Sequence, residues 1–482
     1  MTETMSDGEL RQRALRGTIV SLGGQLLTQA LRFASNIVLT RFLPESAFGV
    51  GAVIFAVTTG LFLISDVGIG TSVVRSARED KAFLDTAWTL SVARGVVLAI
   101  IAALLGVPAA WLYNEPELAW LLPLCSIMVL VLASESTGFY VAQRRLLLGR
   151  IMALEVVAQV VALAVSIPVA IATGHVIALV LAAVVSAVVK FVGSFVMLPS
   201  IRPWFAWDRR AVTEIFSFGQ WIFVSTLCSF VAMRWDVFSL GRLEGFALLG
   251  VYGIATQITS VPNQMAAQVT NAVLTPVLSS AFRDGGAALG DAIDSARRAY
   301  VPAAMLLFLG AATTAPAFFV WVYPAAFHEA GVMAQVLMLT VWLSFLQEAS
   351  SRVLVATGDG PGLAAGNALR VAVTIASTVV GFQVAGFWGF VVGNSVGAFV
   401  GVIAVGVRVR RRGAPHVLVH DVKATLIFVV LLVVAGGVPL WLAPRMGVPS
   451  HWLTLGSCAL VCGPLALVTR QRVKRARAGT DS

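Results

Sequence analysis

The sequence predicts an all-α integral membrane protein of about fourteen transmembrane helices. Three observations predict it. Mean hydropathy is +0.88, with only 12% charged residues, whereas about a quarter are charged in a soluble domain. Apolar stretches recur along the whole chain at the roughly 20-residue length that a spanning helix needs. Most of the 34 Lys and Arg fall in every second gap between those stretches, because translocating Lys and Arg is costly.

The expected spans are 17–39, 46–70, 84–112, 118–142, 151–173, 176–198, 213–233, 247–281, 299–324, 331–356, 361–382, 385–407, 421–443 and 451–469. An even count puts both termini on one side, and their basic residues make that side cytoplasmic. Arg11, Arg13 and Arg16 precede the first apolar run, which continues as a full span and reads as a retained helix rather than a cleaved signal. Basic clusters follow at Arg75/Arg78/Lys81, Arg144/Arg145/Arg150, Arg202/Arg209/Arg210, Arg283/Arg297/Arg298 and Arg408 to Arg412. The outer gaps hold only Arg41, Arg234, Arg242 and Arg445, and several are tight: Tyr113-Asn-Glu-Pro116, Gly174-His175 and His328-Glu329. The eighth stretch is too long for one perpendicular span, and Pro262 and Pro276 are expected to break or kink it, since each removes a helix hydrogen bond. Gly389, Gly393, Gly397 and Gly401 form a small-xxx-small stripe suited to close packing against another helix of the same bundle.

These features exclude several classes of function. No gap is long enough for a separate soluble catalytic domain. The +10 net charge follows from membrane topology and does not call for nucleic acid. The four cysteines, Cys125, Cys228, Cys458 and Cys462, lie in apolar stretches without zinc-ligand or redox spacing. The five histidines are scattered, and neither a P-loop nor a G-x-S-x-G elbow occurs. No metal, cofactor or catalytic residue is expected.

Polar stripes within spans carry more information. Gln25, Gln29, Arg32 and Asn36 recur at i, i+4, i+7 and i+11 in the first span, within about 60° of one another on a helix. Gln257, Gln264, Gln268 and Asn271 share one face of the eighth. Such faces either bond neighbouring helices or line a hydrated cavity. Two stripes of four favour the cavity, where Arg32 suits an anionic group such as a phosphate, which a guanidinium binds with two parallel bonds. Arg370, with Asn367 and Thr374 on its face, is a candidate for a second cavity. Asp66 ends the second span and either pairs with a nearby Arg or sits at the interface. Arg94 is placed to snorkel, and Glu135, Glu155, Lys190 and Glu348 are equally suited to structural pairs and to functional roles.

An internal echo suggests two halves of six spans each. Ser21-Leu-Gly-Gly-Gln25 and Phe48-Gly-Val50 are echoed by Ser217-Phe-Gly-Gln220 and Leu249-Gly-Val251. Halves of equal orientation are related by an axis along the membrane normal. The run Arg16-Gly-Thr-Ile-Val-Ser-Leu-Gly-Gly24, then Leu39-Thr-Arg-Phe-Leu-Pro44 and Phe48-Gly-Val50, resembles the opening of bacterial polysaccharide-export flippases of the Wzx type. Ser65-Asp-Val-Gly-Ile-Gly70, Asp236-Val-Phe-Ser-Leu-Gly-Arg242, Leu249-Gly-Val-Tyr-Gly-Ile-Ala255 and Pro276-Val-Leu-Ser279 extend the likeness, which runs from about residue 16 to 410.

The resemblance implies the multidrug/oligosaccharidyl-lipid/polysaccharide exporter superfamily: two six-helix lobes around a central cavity, plus two C-terminal helices. The division is then 1–16 cytoplasmic tail, 17–205 N-lobe, 206–412 C-lobe, 413–470 two extra helices and 471–482 cytoplasmic basic tail. It further implies a transporter, not an enzyme, of the bacterial cytoplasmic membrane, flipping an undecaprenyl-pyrophosphate-linked oligosaccharide by alternating access for surface polysaccharide such as lipopolysaccharide or exopolysaccharide. Arg32 matches in kind the arginines that such transporters place in the first spans. The lipid-linked oligosaccharide and membrane lipid are the expected partners, with a polysaccharide polymerase and export machinery as candidates. Two alternatives stand beside it. A drug/cation exporter of the same superfamily calls for acidic cavity residues, and a membrane glycosyl polymerase or ligase calls for a sizeable outer loop. The charge alternation makes a direct prediction about topology. In intact cells, Asn114→Cys should react with an impermeant thiol reagent and a cysteine near Arg410 should be protected; the reverse pattern would invert the assignment.

Overall fold

A computed structural model describes residues 7–65, 69–75, 80–198, 203–209, 234–283, 289–446 and 449–458, with isolated positions at 212, 230, 460–463 and 466. The described residues form helices and connecting turns, with no strand among them. They fall into two compact units, Met1–Gly250 and Val251–Ser482. Among the described residues, eight helices are long and apolar enough to cross a membrane, or nine counting a bent pair as one span. The expected seventh span lies almost wholly outside the described residues. A helix satisfies its own backbone in hydrocarbon, which is why apolar stretches of this length fold only this way.

The first unit contains α1 (Asp7–Leu39), α2 (Glu45–Ile64), α3 (Ile69–Arg75), α4 (Lys81–Leu104), α5 (Gly106–Tyr113), α6 (Leu118–Ala133), α7 (Gly138–Arg144), α8 (Leu148–Thr173) and α9 (Ile177–Val196). The tight gaps read from sequence are real turns. Asn114 (φ 52) ends α5 and Gly174 (φ 58) ends α8, both left-handed, the conformation that releases the chain from a helix C-terminus. The Asp80 side chain caps α4 by accepting from the Phe83 N–H. The connection at 203–209 runs along the start of α4: the N–H groups of Trp204, Ala206 and Asp208 donate to Asp85, Thr89 and Thr86. Alternate backbone donors of a non-helical segment are thus satisfied by one helix face.

Two glycines of the sequence echo make reciprocal close approaches. A Cβ on Gly49 would lie 2.0 Å from the Phe246 carbonyl oxygen, and one on Gly250 would lie 1.9 Å from that of Glu45. Each glycine therefore admits the backbone at the position four residues before its counterpart.

The next helix, α10 (Phe246–Arg283), carries the chain from the first unit into the second. Of the break or kink expected at Pro262 and Pro276, the break does not occur, because α10 is one helix through both. In the turn before Pro262 the hydroxyls of Thr259 and Ser260 bond the carbonyls of Thr256 and Gln257. Its 38 residues span about 57 Å at 1.5 Å per residue, more than the hydrocarbon thickness. Then follow α11 (Leu289–Val322), α12 (Glu329–Ala356), α13 (Gly360–Arg411), α14 (Val417–Leu432) and α15 (Val438–Met446). The 52 residues of α13 hold both the eleventh and twelfth expected spans, which reverse at Ala385 and Gly386 (φ 58, ψ −141). The glycine stripe packs the two arms together: a Cβ on Gly393 would lie 2.4 Å from the Ser377 carbonyl oxygen.

The first of the two C-terminal helices belongs to the core of the second unit. Phe428 of α14 stacks on Trp342 of α12, with ring centroids 5.0 Å apart and planes within 2°. The Trp342 Nε1–H donates to Thr425 Oγ1 at 3.2 Å. Arg297 of α11 pairs with Asp421 of α14, their side chains 4% and 1% exposed. Ser350 of α12 donates to the same carboxylate at 3.4 Å. Exposed tryptophans mark helix ends: Trp111, Trp120, Trp321, Trp441 and Trp452 lie next to gaps expected outside, and Trp204 and Trp207 in one expected inside. Indoles favour the two membrane–water boundaries. Removing one partner of a buried pair leaves an uncompensated charge. Asp421→Ala should therefore lose about 3–5 kcal/mol of stability, whereas Arg297→Met with Asp421→Leu should recover most of it; unfolding curves of the protein in nanodiscs would measure both.

Candidate functional site

The polar residues read from sequence separate into those with partners and those without. On α1, Gln25 and Arg32 are exposed, and Gln29 and Asn36 are half-buried. Asn36 already has an interaction partner. Among the described residues, Gln25, Gln29 and Arg32 make no hydrogen bond or ion pair. The face is therefore polar and aligned, open at Gln25 and Arg32, with the cation within the first expected span, although α1 is not among the eight helices apolar enough to cross a membrane. Intramembrane cations usually face protein interior or water, because a lipid-facing Arg costs several kcal/mol. Asp66, expected to pair with a nearby Arg or to sit at the interface, lies outside the described residues.

In the second unit, Gln264 and Gln268 of α10 are exposed and Gln257 is half-buried with a partner. The Asn271 side chain lies outside the described set. Arg370 behaves differently from Arg32. Its guanidinium donates to Gln347 Oε1 at 2.8 Å and to Ser344 Oγ at 2.9 Å. The Gln347 amide donates onward to Asn367 Oδ1 at 2.9 Å. Gly401 opposes this network, and a Cβ there would lie 2.3 Å from Gln347 Oε1. The last glycine of the stripe thus makes room for a polar cluster that ties α12 to both arms of α13. The remaining intramembrane charges divide the same way. Lys190 and Glu155 form a pair at 2.7 Å, and Arg352 reaches Glu348 at 3.4 Å.

One site has no simple signature in the sequence. The helices α6 and α7 meet at a 56° bend, and beside it lies a cavity of about 560 Å³ within the first unit. Its lining includes Phe62, Arg94, Glu135, Thr137, Tyr140 and Gln143. The Arg94 guanidinium lies 4.6 Å from the centre of the Phe62 ring. Sequence reasoning singled out Arg94 and Glu135 as intramembrane charges, but the bend that brings them into one cavity interrupts a stretch read as a single span. Ser134-Glu-Ser-Thr137, four polar residues in a row within that stretch, was the available signal. Among the described residues no group of three or more His, Cys, Asp or Glu is placed to hold a metal ion.

Comparisons with known proteins agree with this architecture. The model of the family described as "Polysaccharide biosynthesis protein" matches residues 38–330. The teichuronic acid biosynthesis protein TuaB of Bacillus subtilis is 23% identical over 61% of this chain and 61% of its own length. The succinoglycan biosynthesis transport protein ExoT of Rhizobium meliloti is 22% identical over 53% of this chain and 52% of its own. The matched region thus spans less than two thirds of either relative. Among solved structures, the lipid II flippase MurJ in an inward closed conformation superposes with a TM-score of 0.67 at 11% identity, covering 94% of this chain and 99% of its own. An inward-facing multidrug resistance MATE family transporter superposes with a TM-score of 0.57 at 17% identity, covering 82% and 98%. The likeness is one of fold, an all-α membrane architecture. The chain belongs to the polysaccharide biosynthesis protein family and shares its fold with these two solved structures.

Proposed function

We propose that this protein flips an undecaprenyl-pyrophosphate-linked oligosaccharide across the bacterial cytoplasmic membrane, both termini cytoplasmic, by alternating access between the lobes at 17–205 and 206–412. The observation that carries this reading is Arg32: an exposed intramembrane guanidinium, without a partner among the described residues, on a face it shares with Gln25 and Gln29. A fixed cation among amides suits a pyrophosphate, which accepts two parallel N–H bonds from one guanidinium. The amides offer both donors and acceptors to hydroxyl groups. Gln264 and Gln268 supply the same chemistry from α10. The names of TuaB and ExoT, which refer to teichuronic acid and succinoglycan, support a saccharide cargo. The cationic face disfavours a cationic drug, and the tight turns at Asn114 and Gly174 leave little outer surface there for a polymerase or ligase. No covalent step is needed. Rocking of one repeat against the other moves a bound headgroup while its polyprenyl tail stays in lipid.

Everted vesicles loaded with labelled lipid-linked oligosaccharide test the proposal directly: protein-dependent translocation is expected, and its absence with every glycan of the host would overturn it. Arg32→Ala should abolish translocation at normal protein abundance, while Arg32→Lys, which keeps the charge and loses the fork, should retain part of it. Normal abundance with full translocation for Arg32→Ala would remove Arg32 from the mechanism. Arg370→Ala should do the opposite, lowering stability by about 1–3 kcal/mol because it strands Gln347 and Ser344, with translocation falling only in step with abundance on a quantitative blot.

A further inference from the structure

The cavity at the bend between α6 and α7 is separate from the α1 face, since none of Gln25, Gln29, Arg32 or Asn36 lines it. The bend itself is held by the protein. The Ser136 N–H donates to Ser194 Oγ at 3.0 Å, the Gly138 N–H to Ser136 Oγ at 3.1 Å, and the Trp88 indole N–H to the Ser134 carbonyl at 3.1 Å. Three side-chain atoms of cavity-lining residues are left over, and Arg94 Nε is one of them, although its guanidinium already lies over the Phe62 ring. Glu135 Oε1 and Thr137 Oγ1 are buried without a hydrogen-bond partner among the described residues, and both residues line the cavity. Thr137 is 1% exposed. Buried polar atoms in folded proteins are nearly always paired, and an unpaired one in a low-dielectric surround is costly. The residues that carry these atoms line the cavity, and a ligand seated against that wall would meet them once the side chains turn toward it.

The lining indicates what those contents are. A volume of about 560 Å³ falls in the range of organic-ligand sites, roughly 300–1,000 Å³, and is far larger than an ion needs. The charged lining residues are one cation, Arg94, and one carboxylate, Glu135. A pyrophosphate would meet the carboxylate and a free cation would meet the guanidinium, so the balance favours a neutral ligand. The walls add aromatic rings from Phe62, Phe139 and Tyr140 to hydrogen-bonding groups from Glu135, Thr137 and Gln143. Aromatic faces carry negative potential, which attracts the weakly positive C–H faces of a pyranose while its rim hydroxyls bond polar groups. Gly70 allows this arrangement, because a Cβ there would lie 2.5 Å from the Tyr140 ring.

We propose that this cavity is a saccharide-binding subsite, taking a short neutral stretch of the cargo glycan against Phe62 and Tyr140, with Glu135, Thr137 and Gln143 bonding its hydroxyls. The assignment rests on the lipid-linked oligosaccharide reading above and adds a second point of attachment to it. Sugar is held in the N-lobe cavity, and pyrophosphate at Arg32. By the charge alternation, the lining lies at the cytoplasmic ends of the spans, beside Arg144 and Arg145, where a cargo made in the cytoplasm would first arrive.

The test uses the full chain in nanodiscs, with its native cysteines replaced by alanine and Thr137→Cys as a reporter for N-ethylmaleimide. Two probes are compared: the glycan released by mild acid from the host's lipid-linked oligosaccharide, and undecaprenyl pyrophosphate without sugar. The glycan should slow labelling at least about tenfold, and undecaprenyl pyrophosphate should not. In everted vesicles, Glu135→Gln and Thr137→Val should each raise the cargo concentration for half-maximal translocation about tenfold while keeping most of the maximal rate. Thr137→Val keeps the side-chain shape, so normal abundance is expected. Equal protection by undecaprenyl pyrophosphate would overturn the assignment, as would labelling insensitive to either probe, the result for a cavity holding only water. A Glu135→Gln variant whose maximal rate loses its pH dependence at unchanged half-saturation would also overturn it, in favour of a protonation site. Translocation by the native protein without glycan protection would sink this subsite alone; failure of both would sink the transport reading as well.

Discussion

Close contact between helix backbones is the constraint on which the rest of this structure depends. Lipid tails are as apolar as leucine, so no hydrophobic force gathers spans together, and packing at small residues takes over that role. Gly49 and Gly250 meet the Phe246 and Glu45 carbonyls reciprocally, and Gly393 meets the Ser377 carbonyl where the two arms of α13 cross. Each crossing lies where a side chain as small as alanine would collide with backbone. Because the contacts are to backbone, they fix the axial register of the helices as well as their separation. The register in turn decides which polar side chains meet.

The polar groups then sort themselves by what the register brings opposite. Arg297 meets Asp421 and Ser350, and α14 is bound into the core of the second unit by that pair together with the Trp342–Phe428 stack. A buried pair of this kind is weak evidence of added stability compared with an apolar replacement, but strong evidence of a specified partner, since either charge alone would be very unfavourable. Arg370 meets Gln347, which Gly401 admits. Arg32 meets no such partner among the described residues. The contrast is between an arginine held by neighbouring side chains and one without a partner among the described residues.

Breaks have a comparable role. The chain interrupts a span at Ser134–Thr137, satisfies the freed backbone through Ser194, Ser136 and Trp88, and leaves Glu135 and Thr137 in the lining of a cavity. At Pro262, where a break was expected, the helix continues. Proline removes one donor in a helix that can absorb the loss. A run of four polar residues followed by Gly138 gives the local backbone side-chain partners that compete with helix formation.

The sequence by itself determined the solvent, the class of fold and the helical stripes, because hydropathy and basic-residue placement are set by the energetics of lipid and hold whatever the packing. It also marked Gln25, Gln29, Arg32 and Asn36 as one face, since a periodicity of 3.6 residues needs no neighbour to define it. Tertiary structure decided which of the marked residues were already engaged. Arg370 and Arg32 look alike in sequence, as intramembrane arginines flanked by amides or hydroxyls, and differ only in what stands across from them. The cavity at Glu135 depended on a bend that hydropathy averages away, and on contacts from Phe62 and Arg94, 73 and 41 residues distant in the chain. A helix's own periodicity says which way a side chain points, and only the packing of the other helices says what it meets there.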